Sequence, residues 1–125
     1  MEAGEFAVID QGWDGPFYRV RTSVFEVTFM VGGGERIEAV ENVDAEVRLP
    51  DGSRWSATIF TLAEVERLMS EWAETGEYGG GGHFWCSDGL IVGAPGLDHM
   101  IIALEGLYQS GDFRDALNRL DEPAG

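Results

Sequence analysis

The chain has 125 residues, 44% of them hydrophobic, with 23 acids against eight bases and a formal net charge of −15. These values describe one globular domain, residues 1–125, that can build its core without disulfides or a structural metal, and they exclude a disordered chain. All eight bases are arginines, too few to form the basic footprint that nucleic acid or an anionic membrane surface requires, so neither is an expected partner. The only cysteine, Cys86, cannot form an internal disulfide. Residues 1–5 lack the basic-then-apolar layout of a signal peptide. No apolar run approaches the ~20 residues of a membrane helix. The expectation is a cytoplasmic protein whose charge serves either solubility or a basic protein partner.

Residues 5–9 read as a short strand, and residues 10–16 as a loop dense in turn formers, with Trp13 folding back over the core. Residues 17–31 form the longest β-like segment. Tyr18, Val20, Thr22 and Val24 share one phase of its alternation, and Phe25, Val27, Phe29 and Val31 share the other. A one-residue slip sends every side chain to the wrong face, so a bulge or break is expected near Thr22 and Ser23. Three glycines at 32–34 end the segment. Residues 35–44 carry Glu35, Glu38, Glu41 and Asp44 against Arg36 alone; a short strand and a mobile acidic turn fit equally well.

The next hairpin is well specified. Ala45, Val47 and Leu49 alternate with polar residues, as do Trp55, Ala57 and Ile59 after the Pro50, Asp51, Gly52 turn. Pairing Leu49 with Ser53 sets Val47 opposite Trp55 and Ala45 opposite Ala57, so turn and pattern agree on register. Thr61 and Glu64 have the spacing of a capping box, which starts a helix running to about Thr75 with Gly76 as its stop. Leu62, Val65, Leu68, Met69 and Trp72 make its expected buried face. Glu71 and Glu74 occupy its last turn, against the helix dipole, and Glu77 extends the patch. Such a local conflict fits either a solvated face or a site for a cationic partner.

Residues 78–93, YGGGGHFWCSDGLIVG, hold four glycines, His83 and Cys86. Phe84, Cys86 and Ile91 fit one face of a buried strand or hairpin and Trp85 and Val92 the other, with residues 87–90 as a tight turn or a kink. A second helix follows Pro95 and carries Leu97, Ile101, Leu104 and Tyr108, with Gly111 as its stop. Asp112 caps a last short helix with Phe113, Leu117 and Leu120 on its apolar side, and residues 121–125 read as a frayed tail.

No catalytic set emerges. His83 and Cys86 are too few for zinc, and strand alternation points them to opposite faces, so no metal site is expected. Cys86 lacks the base and the electropositive setting that a nucleophile needs. The glycines at 79–82 lack the lysine and hydroxyl of a phosphate loop, so they read as a flexible connector or as a loop that a partner approaches closely. No cofactor is expected.

The phrases DGSRWSATIFTLAEVERLMSEW and GGHFWCSDGLIV, followed by an amphipathic helix, cover residues 51–120. In layout this stretch resembles a group of small uncharacterised bacterial proteins that look like accessory or toxin-immunity proteins. The resemblance implies a protein-binding role.

The whole describes an α+β fold: a mainly antiparallel sheet with two or three helices packed on one face. The leading expectation is a non-enzymatic acidic protein-binding module, of the immunity type, for a basic protein partner. Glu71, Glu74, Glu77 and Asp88 would be its contact acids, with Tyr78 or Trp85 as an aromatic anchor. The alternatives are a structural, self-associating homodimer and a small hydrolase using Cys86 or a carboxylate pair.

Overall fold

Five strands form an antiparallel meander: β1 (Val8–Asp14), β2 (Phe17–Thr22), β3 (Glu26–Phe29), β4 (Asn42–Arg48) and β5 (Arg54–Thr61). The computed structural model of the protein describes residues 6–32 and 35–120, apart from the side chain of Tyr78. After β5 the chain enters helix α1 (Leu62–Thr75) and returns as β6 (Gly89–Val92), parallel to β5. Parallel neighbours need such a crossover because a short turn can only reverse the chain. Helices α2 (Leu97–Ser110) and α3 (Phe113–Ala116) come next, and β7 (Asn118–Arg119) pairs antiparallel with the start of β5. The fold is therefore α+β, as expected, with a mixed sheet in strand order β1-β2-β3-β4-β5-β6.

Alternation decides which face is covered. Val20, Val27, Phe29, Val43, Ala45, Val47, Trp55, Ala57 and Ile59 point to one side and are buried. Leu97, Met100, Ile101 and Leu104 of α2 and Phe113 of α3 close over them in one cluster. The other face carries Arg19, Arg21, Glu26, Arg48 and Asp44 and meets solvent. One buried face and one wet face is the usual arrangement of an antiparallel sheet.

The phase change in residues 17–31 has a visible cause. Thr22 Oγ1 accepts from the amides of Val24 (3.1 Å) and Phe25 (2.9 Å) and donates to the Phe25 carbonyl (2.8 Å). This tight turn separates β2 from β3 and lets Phe25 join the core on the new phase. The hairpin register is as expected: Val47 lies opposite Trp55, Ala45 opposite Ala57, and the Leu49 amide donates to the Ser53 carbonyl at 2.9 Å. Residues 35–44 resolve into a 3-10 turn at Ile37–Ala39 and then the start of β4.

The N-terminal reading needs correction. Residues 10–14 are strand, not loop, and the turn is confined to Gly15 (φ 63°) and Pro16. Turn-forming residues were overridden by pairing with β2, in which Trp13 lies opposite Tyr18 and Asp14 opposite Phe17. Trp13 does not fold over the core. It is 48% exposed, with its ring edge-on to Tyr18 at 5.3 Å. Residue 5, placed in a strand from the sequence, and Gly33 and Gly34 lie outside the described residues, as does the tail at 121–125.

Candidate functional site

The site grows from an exception in β5. Arg54, Ser56 and Thr58 face the wet side of the sheet, yet Phe60, in the same phase, is buried and stands outside the main core cluster. Its cover comes from α1 and from the segment between α1 and β6. Thr61 caps α1 by accepting from the Glu64 amide at 3.0 Å. The reciprocal half of a capping box does not form, because the Thr61 amide already donates to the Glu41 carbonyl at 2.9 Å. The Glu64 carboxylate instead takes both arms of Arg67, at 2.9 and 2.8 Å. That guanidinium holds the Glu64 carboxyl below its ordinary range.

The expected buried face of α1 is only partly right. Val65 is buried and Leu68, Met69 and Trp72 are half-buried, but Leu62 is exposed. Helix α1 does not join α2 over the main core; its stripe meets Phe60 and Phe84 in a second, smaller cluster.

The glycine run makes that possible. Gly76 ends α1 in the left-handed conformation (φ 82°), its amide donating to the Trp72 carbonyl at 2.8 Å. Gly79, Gly80 and Gly81 then have φ of 70°, 70° and 80°, which L side chains rarely adopt. At Gly81 a Cβ would also collide with the Met69 carbonyl oxygen of α1. These glycines fold the chain back onto the helix and are more than a connector.

Residues 83–86 form no strand, contrary to expectation; only 89–92 pair with β5. The segment runs free of the sheet so that Phe84 can enter the second cluster. Its ring lies parallel to that of Trp72 (5.9 Å, 8°) and edge-on to that of Phe60 (4.9 Å, 84°). Beside these rings lies a cleft of about 390 Å³, lined by Phe60, Leu68, Trp72, His83, Phe84, Trp85 and Cys86. Trp85 stands at its lip, 79% exposed. No carboxylate or arginine belongs to the lining.

The expected site residues separate into two groups. Glu71, Glu74 and Glu77 are exposed at the end of α1. Glu71, one residue before Trp72 and three after Leu68, flanks the stripe that lines the cleft, whereas Glu74 lies further round the helix. Glu77 accepts from the Thr75 hydroxyl at 3.1 Å. Trp85 completes this group. Asp88 belongs elsewhere: its carboxylate accepts from Ser56 Oγ (3.0 Å) and Thr58 Oγ1 (3.2 Å), pinning the entry of β6 to the wet face of β5. Cys86 Sγ lies 3.5 Å from the same carboxylate. The side chain of Tyr78 lies outside the described residues.

Phe60, Leu68, Trp72 and Phe84 were not singled out as site residues from the sequence. The signal was present at Phe60, the aromatic residue that interrupts the polar phase of β5. A second concavity of about 360 Å³ lies on the wet face, among Asp10, Asp14, Arg19, Arg21, Glu26 and Thr28. It arises where Gly12, opposite Arg19, adds no side chain to the row.

A different aromatic cluster sits at the other end of β5. Trp55 packs edge-on to Phe113 at 6.1 Å, and Phe25 and Tyr108 join it. Trp55 is buried, and its Nε1 donates to Ser53 Oγ at 2.9 Å. The guanidinium groups of Arg114 and Arg119 lie over the Trp55 ring, at 5.3 and 5.8 Å. Arg114 also donates to Asp51 at 3.0 Å.

Among the described residues, no group of three His, Cys, Asp or Glu could hold a metal ion, and no helix is long and apolar enough to cross a membrane. Comparisons with protein-family models, with curated proteins and with solved structures return no match to this chain.

Proposed function

We propose that the protein is a non-enzymatic acidic module that binds a basic protein partner through the open aromatic cleft and the adjoining end of α1. The observation that carries this reading is the exposed Trp85 at the lip of an apolar cleft, beside exposed Glu71, Glu74 and Glu77, on a chain of net charge −15. An aromatic anchor inside a charged rim is a common composition for a binding surface. The surrounding negative charge steers a basic partner toward it. If that partner is a secreted toxin, covering its basic surface is the immunity function that the layout of residues 51–120 implies.

The test is titration of the full chain with an arginine- and lysine-rich peptide, followed by tryptophan fluorescence at increasing salt. Affinity is expected to fall as salt rises. The triple variant Glu71→Gln, Glu74→Gln, Glu77→Gln should bind about 5-fold more weakly or worse, since rim charges are worth a fraction of a kcal/mol to ~1 kcal/mol each. A charge-matched control, Glu105→Gln, Asp112→Asn, Asp115→Asn, changes the same net charge on α2 and around α3. Equal weakening by both triples would reduce the effect to net charge and overturn the assignment to this surface.

Self-association is a second reading, favoured by β1. It is an outer strand of the sheet, and its Val8, Ile9 and Trp13 are exposed. An unpaired strand edge offers backbone donors and acceptors to a second copy. Sedimentation velocity at micromolar concentration separates the readings; a clean monomer removes this one.

A further inference from the structure

The protein already shows one way of covering a tryptophan ring. At Trp55 it lays the guanidinium groups of Arg114 and Arg119 over the ring, and Arg114 reaches on to Asp51 at 3.0 Å. The Arg114 guanidinium thus meets a ring on one hand and a carboxylate on the other. The lining of the open cluster supplies the exposed ring of Trp85, next to Trp72 and Phe84 whose rings lie parallel to each other, but no arginine. Glu71 is exposed on α1, one residue before Trp72. Arg67 touches Glu71 only at 3.7 Å while it holds Glu64 at 2.8 Å, so Glu71 keeps acceptor capacity.

We infer that the cleft receives an arginine side chain of the basic partner, stacked on the aromatic wall with Glu71 as its counter-ion. This inference rests on the function proposed above. Arginine fits better than lysine because its planar, weakly hydrated guanidinium stacks on a ring face, whereas an ammonium holds its water. It fits better than a purely apolar anchor because the rim is acidic, and a guanidinium meets both rings and carboxylate. A cleft of about 390 Å³ is ample for one such side chain.

The experiment uses three small probes on the full-length chain: N-acetyl-arginine methylamide, its neutral citrulline counterpart, and the leucine counterpart. Binding is read from the indole N–H signals of the four tryptophans by NMR. The arginine probe should shift the Trp85 signal and bind about 5-fold tighter than the citrulline probe, the ratio expected for a partly exposed cation–π contact. Glu71→Gln should weaken it about 2-fold. Trp85→Ala should abolish the shift of the remaining cleft signal, Trp72, without moving the unfolding midpoint, because Trp85 is mostly solvated. Citrulline or leucine binding as tightly as arginine would overturn the inference, and so would no binding by any probe. In either case salt-dependent capture of the basic peptide would still stand, so the two failures are distinguishable. The comparison of probes on the unaltered chain needs no variant to fold.

Discussion

The two aromatic clusters lie near opposite ends of β5 and on opposite faces of it, and they differ in what covers them. The Trp55 cluster is closed by α2 and α3 and roofed by two arginines of its own chain. The Phe60, Trp72 and Phe84 cluster is closed on one side by α1 and left open on the other, where Trp85 projects. The same chemistry thus serves as core in one place and as surface in the other. What separates them is the glycine turn, which brings residues 83–86 onto α1 while keeping them out of the sheet.

That contrast can be broken most strongly at the closed end. Phe113 is 2% exposed and touches Trp55, Phe25 and Tyr108. Phe113→Ala should destabilise the fold by about 3–5 kcal/mol in urea unfolding, through lost burial and the cavity left behind. A loss under ~1 kcal/mol would mean that this cluster is not the closed core described.

The device that holds the other cluster open is the next largest target. Gly81→Ala requires a left-handed alanine and a collision with the Met69 carbonyl oxygen. Its expected effect is a loss of about 1–3 kcal/mol. The near-UV circular dichroism of Trp72 should change with it as Phe84 leaves its ring. An unchanged spectrum at unchanged stability would show that the turn does not position Phe84.

The smallest effect concerns the arginine roof. Hydrogen bonds from Ser53, side chain then backbone, and after them the Arg114 guanidinium hold the Asp51 carboxyl well below the ordinary carboxylate range. A carboxyl depressed in the folded state contributes stability that is present above its unfolded pKa and lost as pH falls through the folded one. The loss of stability with falling pH should therefore be shallower in Asp51→Asn than in the parent below about pH 4, the variant being slightly less stable at neutral pH and the two converging in acid. Parallel acid limbs would remove Asp51 from the roof. The group is exposed, so the difference is expected to be small.

Much of the frame is legible in the residues. Thr22 and Ser23 mark the phase change, Pro50 to Gly52 set the hairpin register, and Thr61 and Gly76 bound α1. Each of these signals acts within a few residues of where it is written. The candidate site was half legible. The acids at the end of α1 are visible as a local conflict with the helix dipole and Trp85 as an aromatic residue after the glycine run, but Phe60 and Phe84 come together only when a crossover carries one past the other. Asp88 looked like a contact acid and is held by Ser56 and Thr58 of a strand some thirty positions earlier. The turn-rich letters of 10–14 became strand because β2 offered a pairing partner.

The sequence alone determined the β4–β5 hairpin with its register, the break between β2 and β3, and the limits of both long helices, because periodicity, caps and turn residues are enforced by backbone geometry over short spans. Only the tertiary structure decided the face on which α1 would spend its apolar stripe, the parallel placement of β6, and the roles of the two tryptophan clusters. Those outcomes depend on partners far apart in the chain, and burial is a property of the partners rather than of the residue.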